Sequence, residues 1–132
     1  MKRLKEVLLF LWTLPQQILG MLVVFFTGAI KERRQYEYVA YSFGYFGVSL
    51  GNFIIFGSAP GTETSYRHEY GHHVQSLYLG PLYLIVVGIP SLFGNIWDIV
   101  AHKNWTYIQR VTWYYSRFPE KWAEKLGGVK RF

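Results

Sequence analysis

Apolar residues in this chain come in long runs separated by short polar or glycine-proline interruptions. The first, "MKRLKEVLLFLWTLPQQILGMLVVFFTGAI", starts basic and is then mostly apolar to Ile30, broken by Pro15, Gln16 and Gln17. It predicts a retained membrane helix bent near Pro15, because proline cannot continue the helical hydrogen-bond ladder. The part from about Lys2 to Leu14 would be interfacial and the part to Ile30 inserted. A signal peptide is the competing reading, but the apolar length is too great and residues 27–29 make a poor cleavage site.

The pattern then changes period. "RQYEYVAYSFGYFGVSLGNFIIFGSAPG" is rich in aromatic and β-branched residues and carries Gly44, Gly47, Gly51 and Gly57. Two strands joined near Ser42 to Gly44, ending in a turn at Ser58 to Gly61, are the simplest reading. Thr62 or Thr64 can cap a following helix that holds His68 and His72, and Gly80-Pro81 stops it. Leu82 to Ala101 is apolar for about 20 residues, enough at 1.5 Å per residue to cross a hydrocarbon core. Gly88 and Pro90 break that segment, and Asn95 and Asp98 lie in its second half. A re-entrant hairpin, or a helix packed on protein, is expected there more than a plain lipid-facing span. In the tail, one helix runs through Tyr114-Tyr115 and a second opens at Pro119 and stops at Gly127-Gly128.

The expected fold is therefore α+β and membrane-associated. An N-terminal membrane helix (1–30) precedes a minimal catalytic domain (31–132) with a small hairpin or sheet, the helix of His68 and His72, the broken apolar segment and C-terminal helices. Composition sharpens this in two ways. Aromatic residues make up 20% of the 132 and charged residues only 17%, a balance that suits contact with lipid. The net charge is +6, but the basic residues gather at the flanks of apolar runs, at Lys2, Arg3 and Lys5, at Lys31, Arg33 and Arg34, and at Lys121, Lys125, Lys130 and Arg131. That placement favours anionic headgroups over nucleic acid, for which no module is present. The chain has no cysteine, so a transition-metal site must use histidine and carboxylate, a ligand set that suits zinc.

Residues His68-Glu69-Tyr70-Gly71-His72 spell H-E-x-x-H. On a helix, positions four apart share a face, so two imidazoles can meet one tetrahedral ion while the intervening glutamate leans toward the open position. For this composition the pattern arises by chance in roughly 0.6% of chains. Alternatively, the histidines are polar residues on an interfacial face. A third ligand decides between these readings, and the candidates are Glu120, Asp98 and His73. Glu120 and Glu124 are four apart at the start of a helix and face one way. Asp98 sits in an apolar segment where a lone carboxylate needs a partner. His73 points about 100° around the helix from His72, a poor direction for the same ion.

"HEYGH" followed downstream by "EKWAE" resembles the gluzincin group of zinc metallopeptidases. The resemblance implies that His68, His72 and Glu120 bind zinc, that Glu69 is the general base, and that Glu124 supports a ligand histidine. The group usually has aspartate where this chain has Glu124. Asp98 as third ligand resembles the intramembrane zinc proteases instead, although "GNIWD" lacks the surroundings typical of them. If Leu82 to Ala101 crossed the bilayer, Glu120 could not reach His68 unless the chain came back, so the Glu120 reading needs that segment to dip and return.

Tyr114, Tyr115 and Arg117 are candidate oxyanion stabilisers, with interfacial anchoring as the plainer role for each. Glu63 and Arg67 read as capping or surface charges, Gln75 and His73 as polar contacts, and His102 as a headgroup-level residue. The strand around Val48 to Phe56 offers an edge for an extended peptide. The expected function is a membrane-bound zinc metallopeptidase acting on peptides or protein segments near the bilayer surface. Its rivals are a non-enzymatic membrane accessory or immunity-type protein and a zinc-dependent hydrolase of lipid or another non-peptide substrate.

Overall fold

The computed structural model describes residues 2–27, 29–33, 37–41, 47–57 and 62–130. Among them the chain forms helices α1 (Lys2–Trp12) and α2 (Leu14–Thr27), and strands β1 (Ala29–Arg33), β2 (Tyr38–Tyr41), β3 (Gly47–Leu50) and β4 (Phe53–Phe56). Helices α3 (Glu63–Leu79), α4 (Ile89–Ala101), α5 (Tyr107–Tyr115) and α6 (Glu120–Gly127) follow. The strand order is β1-β2-β4-β3, with β2 and β4 parallel and the other pairs antiparallel.

The sheet is covered on both faces. Val39, Ile54 and Phe56 pack with Tyr66 of α3, whereas Ala40, Phe53 and Ile55 pack with Val23 and Val24 of α2. Burial on both sides explains why "FIIF" of β4 is apolar without alternation. A two-residue turn at Gly51-Asn52 joins β3 to β4, and Gly51 supplies the positive φ of 64° that this turn needs.

Helices α1 and α2 meet at Thr13 with a bend of 85°, consistent with the break expected near Pro15. The glutamines beside it tie α2 to the rest of the fold. Gln16 donates to Ser76 Oγ (2.7 Å) and to the Gly80 carbonyl (2.8 Å), and Gln17 accepts from the Asn52 amide (3.0 Å). Helix α2 ends at Thr27, short of the expected Ile30, because Ala29–Arg33 pairs with β2 and gains a ladder there. The sheet thus has four strands where two were expected. The expected junction at Ser42 to Gly44 and the turn at Ser58 to Gly61 lie outside the described residues.

The apolar segment after α3 departs from expectation. A 3₁₀ turn (Gly80–Leu82) leads into a π-helical turn (Leu84–Gly88) that runs straight on into α4, so Leu84–Ala101 is one 18-residue helix, long and apolar enough to cross a membrane. Gly88 and Pro90 do not reverse the chain. Proline lacks an N–H for the ladder, and the wider π turn just before it absorbs the mismatch. Reversal comes instead at residues 102–106, where Thr106 and Gln109 form a capping box that starts α5. The chain then runs back along α4, with Arg110 on Asp98, Arg117 beside Gly94, and Glu120 at Ser91.

Candidate metal centre

Helix α3 is capped by the Thr62 hydroxyl, which accepts from the Ser65 amide, and it ends where Gly80 takes a φ of 57°. Its inward face buries His68, Glu69, His72, His73, Gln75 and Ser76, an unusually polar set for a core face. These groups need partners. Helix α6 supplies them, and glycine lets it come close. A Cβ on Gly71 would lie 1.8 Å from the Ala123 carbonyl oxygen, and one on Gly127 would lie 1.9 Å from that of Arg67. The helices therefore touch backbone to backbone, which brings Glu120 and Glu124 within reach of the histidines.

His68 Nε2 and His72 Nε2 each lie 2.8 Å from Glu120 Oε2, and 3.2 Å from one another. All three residues are buried, and together they could hold a metal ion. The donor geometry fits one. A tetrahedral site with metal–ligand bonds of ~2.0–2.1 Å places neighbouring donors about 3.3 Å apart, so the three atoms need to spread by at most about 0.5 Å. Two further observations agree. His72 Nδ1 lies 2.7 Å from Gln75 Oε1, and the Gln75 amide group is oriented by its 3.0 Å bond to the Pro119 carbonyl, so Nδ1–H donates and Nε2 is left for the cluster. Glu69, also buried, has an Oε2 with no hydrogen-bond partner, an arrangement that calls for a water or an ion nearby.

Glu120 is held from its other oxygen. Ser91 and Tyr114 both donate to Oε1, the latter at 3.2 Å, which leaves Oε2 for the histidines. Glu124 stands behind His68, its Oε2 3.3 Å from Nδ1 as an ion pair without hydrogen-bond alignment. Glu69 lies against Gly47 of β3, where a Cβ would come within 2.9 Å of Oε1. Beside the cluster opens a cavity of about 530 Å³ lined by Glu69, Ser49, Tyr83, Tyr114 and the apolar residues of α2 and α4.

Electrostatics follow from this crowding. Burial disfavours protonation of His68, but Glu120 and Glu124 outweigh it and raise its pKa to about 10. His72 is likewise opposed by burial and raised by Glu120. Burial would raise Glu120, yet its bonds to His68 and His72 hold it well below the usual carboxylate range. Glu69 is raised chiefly by burial, against the pull of the two histidines. Tyr114 is raised by burial and by Glu120, so it remains a donor at neutral pH.

These directions set a pH dependence. A raised His68 stabilises the fold fully below its ordinary 6.5, and the contribution is lost as pH climbs toward about 10. The lowered Glu120 stabilises above its ordinary 4.5, and that contribution is lost as pH falls. The raised Glu69 stabilises fully below its ordinary 4.5 and loses that contribution as pH rises. The chelator-treated protein should therefore melt highest near pH 4.5 and fall above it, more steeply beyond 6.5 where His68 and His72 join, by up to about 1.4 kcal/mol per pH unit for each proton by which the two states differ. With metal added the trend should reverse, since ligand nitrogens must be proton-free. Thermal denaturation with and without chelator across this range measures it.

Asp98 is not near the cluster. Its carboxylate bonds His102 Nδ1 (2.9 Å) and Arg110 Nε and Nη2 (3.0 and 2.8 Å), closing the α4–α5 turn. His102 belongs to that turn rather than to an open surface, stacked on Trp105 at 3.6 Å. Of the three oxyanion candidates, Tyr114 lines the cavity, Tyr115 packs its ring on His68, and Arg117 lies over Trp113 against Gly94. His73 bonds the Gly51 carbonyl, and Glu63 pairs with Arg67 on the surface. Of the strand expected around Val48 to Phe56, β4 is interior and only β3 is an edge. The Ser49 carbonyl on β3 accepts from Tyr83 (3.0 Å).

Three residues matter to the site beyond what the sequence pattern assigns: Gln75, expected only as a polar contact, Ser91 and Gly71. Gln75 is one turn beyond His72 on the same face, a spacing that could have flagged it. Ser91 is a lone hydroxyl in an apolar run. Gly71 carried no signal, because its importance depends on which helix packs on it. Replacing Gly71 with alanine should push α6 outward, costing about 1–3 kcal/mol or more and lowering metal affinity. Alanine at Gly88, where a Cβ meets nothing closer than 3.6 Å, should do neither. Thermal melts and metal titration of both variants check this. No family model, curated protein or solved structure matches the chain.

Proposed function

We propose that this protein is a membrane-bound zinc metallopeptidase of the gluzincin type. The observation that carries the reading is the buried carboxylate of Glu69, its Oε2 without a hydrogen-bond partner, beside three converging donors, His68 Nε2, His72 Nε2 and Glu120 Oε2, in the wall of one cavity. His68, His72 and Glu120 would hold the ion, which when bound supplies a Lewis acid for a carbonyl and a more acidic water. Glu69, raised by burial, is a stronger base than an exposed carboxylate and accepts the proton of the attacking water. It can then pass that proton to the leaving amine. Tyr114, protonated and lining the cavity, spends its one O–H on Glu120, so it would serve the oxygen that gains charge only by releasing that bond. Glu124 and Gln75 hold the ring nitrogens that face away from the cluster.

Edge strand β3, next to Glu69, supports a polypeptide substrate laid alongside it. The apolar cavity wall favours, as a second reading, a lipid ester or amide cleaved by the same groups. The membrane assignment rests on the apolar Leu84–Ala101 helix and on the exposed Leu4, Leu8, Leu11, Phe25 and Phe26 of α1 and α2. The test is metal analysis of detergent-purified protein, followed by assay of peptide and phospholipid panels with and without chelator. Stoichiometric zinc with chelator-sensitive peptide hydrolysis is expected, and a metal-free protein that still cleaves would end the proposal.

A further inference from the structure

The cavity has a polar end and an apolar end, and they differ in exposure. Glu69, His68, His72 and Glu120 lie at the buried end, with Glu120 at 0% exposed. The lining also includes Leu19 of α2 and Ile85, Ile89 and Leu92 of the Leu84–Ala101 helix, which are 40%, 63%, 52% and 61% exposed. Spacings of four and three place Ile85, Ile89 and Leu92 on one helical face with Gly88 among them. The same side chains thus line the cavity and belong to the apolar outer surface, so the mouth lies between α2 and α4.

That mouth is set in a larger apolar surface. Phe93, Ile96, Trp97, Ile99 and Val100 are exposed on α4, and Ile18, Met21, Leu22, Phe25 and Phe26 on α2. Of the polar residues of the Leu84–Ala101 helix, Ser91 bonds Glu120 and Asp98 bonds Arg110 and His102, while Asn95 is the one exposed polar side chain and lines the cavity one turn beyond Leu92. An apolar surface of this extent is unfavourable in water. Lipid removes that cost. Cationic residues stand at its borders, Lys2, Arg3 and Lys5 at the start of α1 and Lys103 just past α4, where anionic headgroups would meet them.

Resting on the peptidase reading above, we infer that the cavity opens sideways into the bilayer between α2 and α4, so that its substrate is an apolar polypeptide segment delivered from within the membrane. Polypeptide is favoured over lipid because β3, an edge strand, lines the cavity along its whole length together with Glu69, although its Ser49 carbonyl is held by Tyr83. The extended segment would pass the apolar rim and reach the buried acid–base groups without crossing water.

The full chain, reconstituted with zinc in phosphatidylcholine–phosphatidylglycerol vesicles, tests this with two readouts. A nitroxide on Leu92→Cys, in a chain that has no other cysteine, should collide with oxygen and be shielded from a water-soluble nickel chelate. A fluorogenic apolar peptide carried in the bilayer should be cleaved at least about tenfold faster than the same scissile sequence on soluble flanks. Gly88→Phe should abolish this cleavage while keeping full zinc content, because a Cβ at residue 88 makes only ordinary contacts and the ring fills the mouth. Nickel access at residue 92, or equal cleavage of the soluble peptide, overturns lateral entry. Cleavage of phospholipid but of neither peptide overturns the polypeptide substrate and the peptidase reading with it, whereas the nitroxide still reports where the mouth opens.

Discussion

Glu69→Gln should leave zinc content unchanged and lower peptide hydrolysis by about 10²–10⁴-fold, the range that a positioned general base contributes. The change is nearly isosteric, and Glu69 donates no ligand atom to the His68–His72–Glu120 cluster, so metal affinity has no reason to fall. What disappears is the proton acceptor. Glu69 is suited to that task because it is buried, its pKa is raised by that burial, and Oε2 has no protein partner to compete for a proton. Glutamine at 69 relieves the cost of burying a carboxylate, so the metal-free variant should melt no lower than the parent. Zinc retention, lost turnover and preserved stability together separate a chemical role from a packing role. Hydrolysis at the parent rate would remove Glu69 from the mechanism, whatever the metal content.

Glu120→Ala should abolish tight metal binding, with a loss well beyond the roughly 10–100-fold that removal of a supporting residue produces. Three effects converge on this side chain. It supplies one of the three donors, it is the anion that holds His68 and His72 in register, and it accepts from Ser91 and Tyr114. Removing it strands two imidazoles and two hydroxyls, and truncating one partner of a buried charged pair typically costs about 3–5 kcal/mol. Glu120→Gln separates the two consequences. It keeps the volume and a carbonyl oxygen for Ser91 and Tyr114, so the fold should survive while affinity still falls. Glu124→Ala should cost only the 10–100-fold of a residue that stands behind His68, and Asp98→Asn should retain zinc because its partners are Arg110 and His102. Isothermal titration with zinc ranks the series, and equal affinity in Glu120→Ala and Asp98→Asn would place the third ligand elsewhere.

Local chemistry made several elements legible. The Thr62 cap, the Gly80-Pro81 stop, the Pro119 start and the Gly128 end of α6 each depend on a few adjacent residues, and they lie where turn and capping preferences put them. The break near Pro15 has the same origin. The strands were less readable. Ala29 and Ile30 end an apolar run and residues 31–33 are all charged, so nothing local marks a strand and only pairing with β2 makes one. The Gly88-Pro90 break was legible as an irregularity but not in its outcome. A proline that ends one helix kinks or widens another, and which of these happens depends on what packs alongside. Here the returning α5 holds α4 in line through Asp98 and Arg110.

By itself the sequence determined the chemistry on offer: two histidines one turn apart with a glutamate between them, downstream carboxylates, no thiols, and apolar runs bordered by cations. Helical periodicity is a short-range property, so spacing alone puts His68 and His72 on one face. Tertiary structure decided which carboxylate they meet. Gly71 and Gly127 let α6 approach α3 backbone to backbone, which selects Glu120, and the return of α5 along α4 engages Asp98 at the far turn. Long-range convergence of this kind depends on close packing between segments distant in the chain, and no local pattern records it. The same holds for the mouth of the cavity, whose walls come from α2 and α4 and exist only once both are in place.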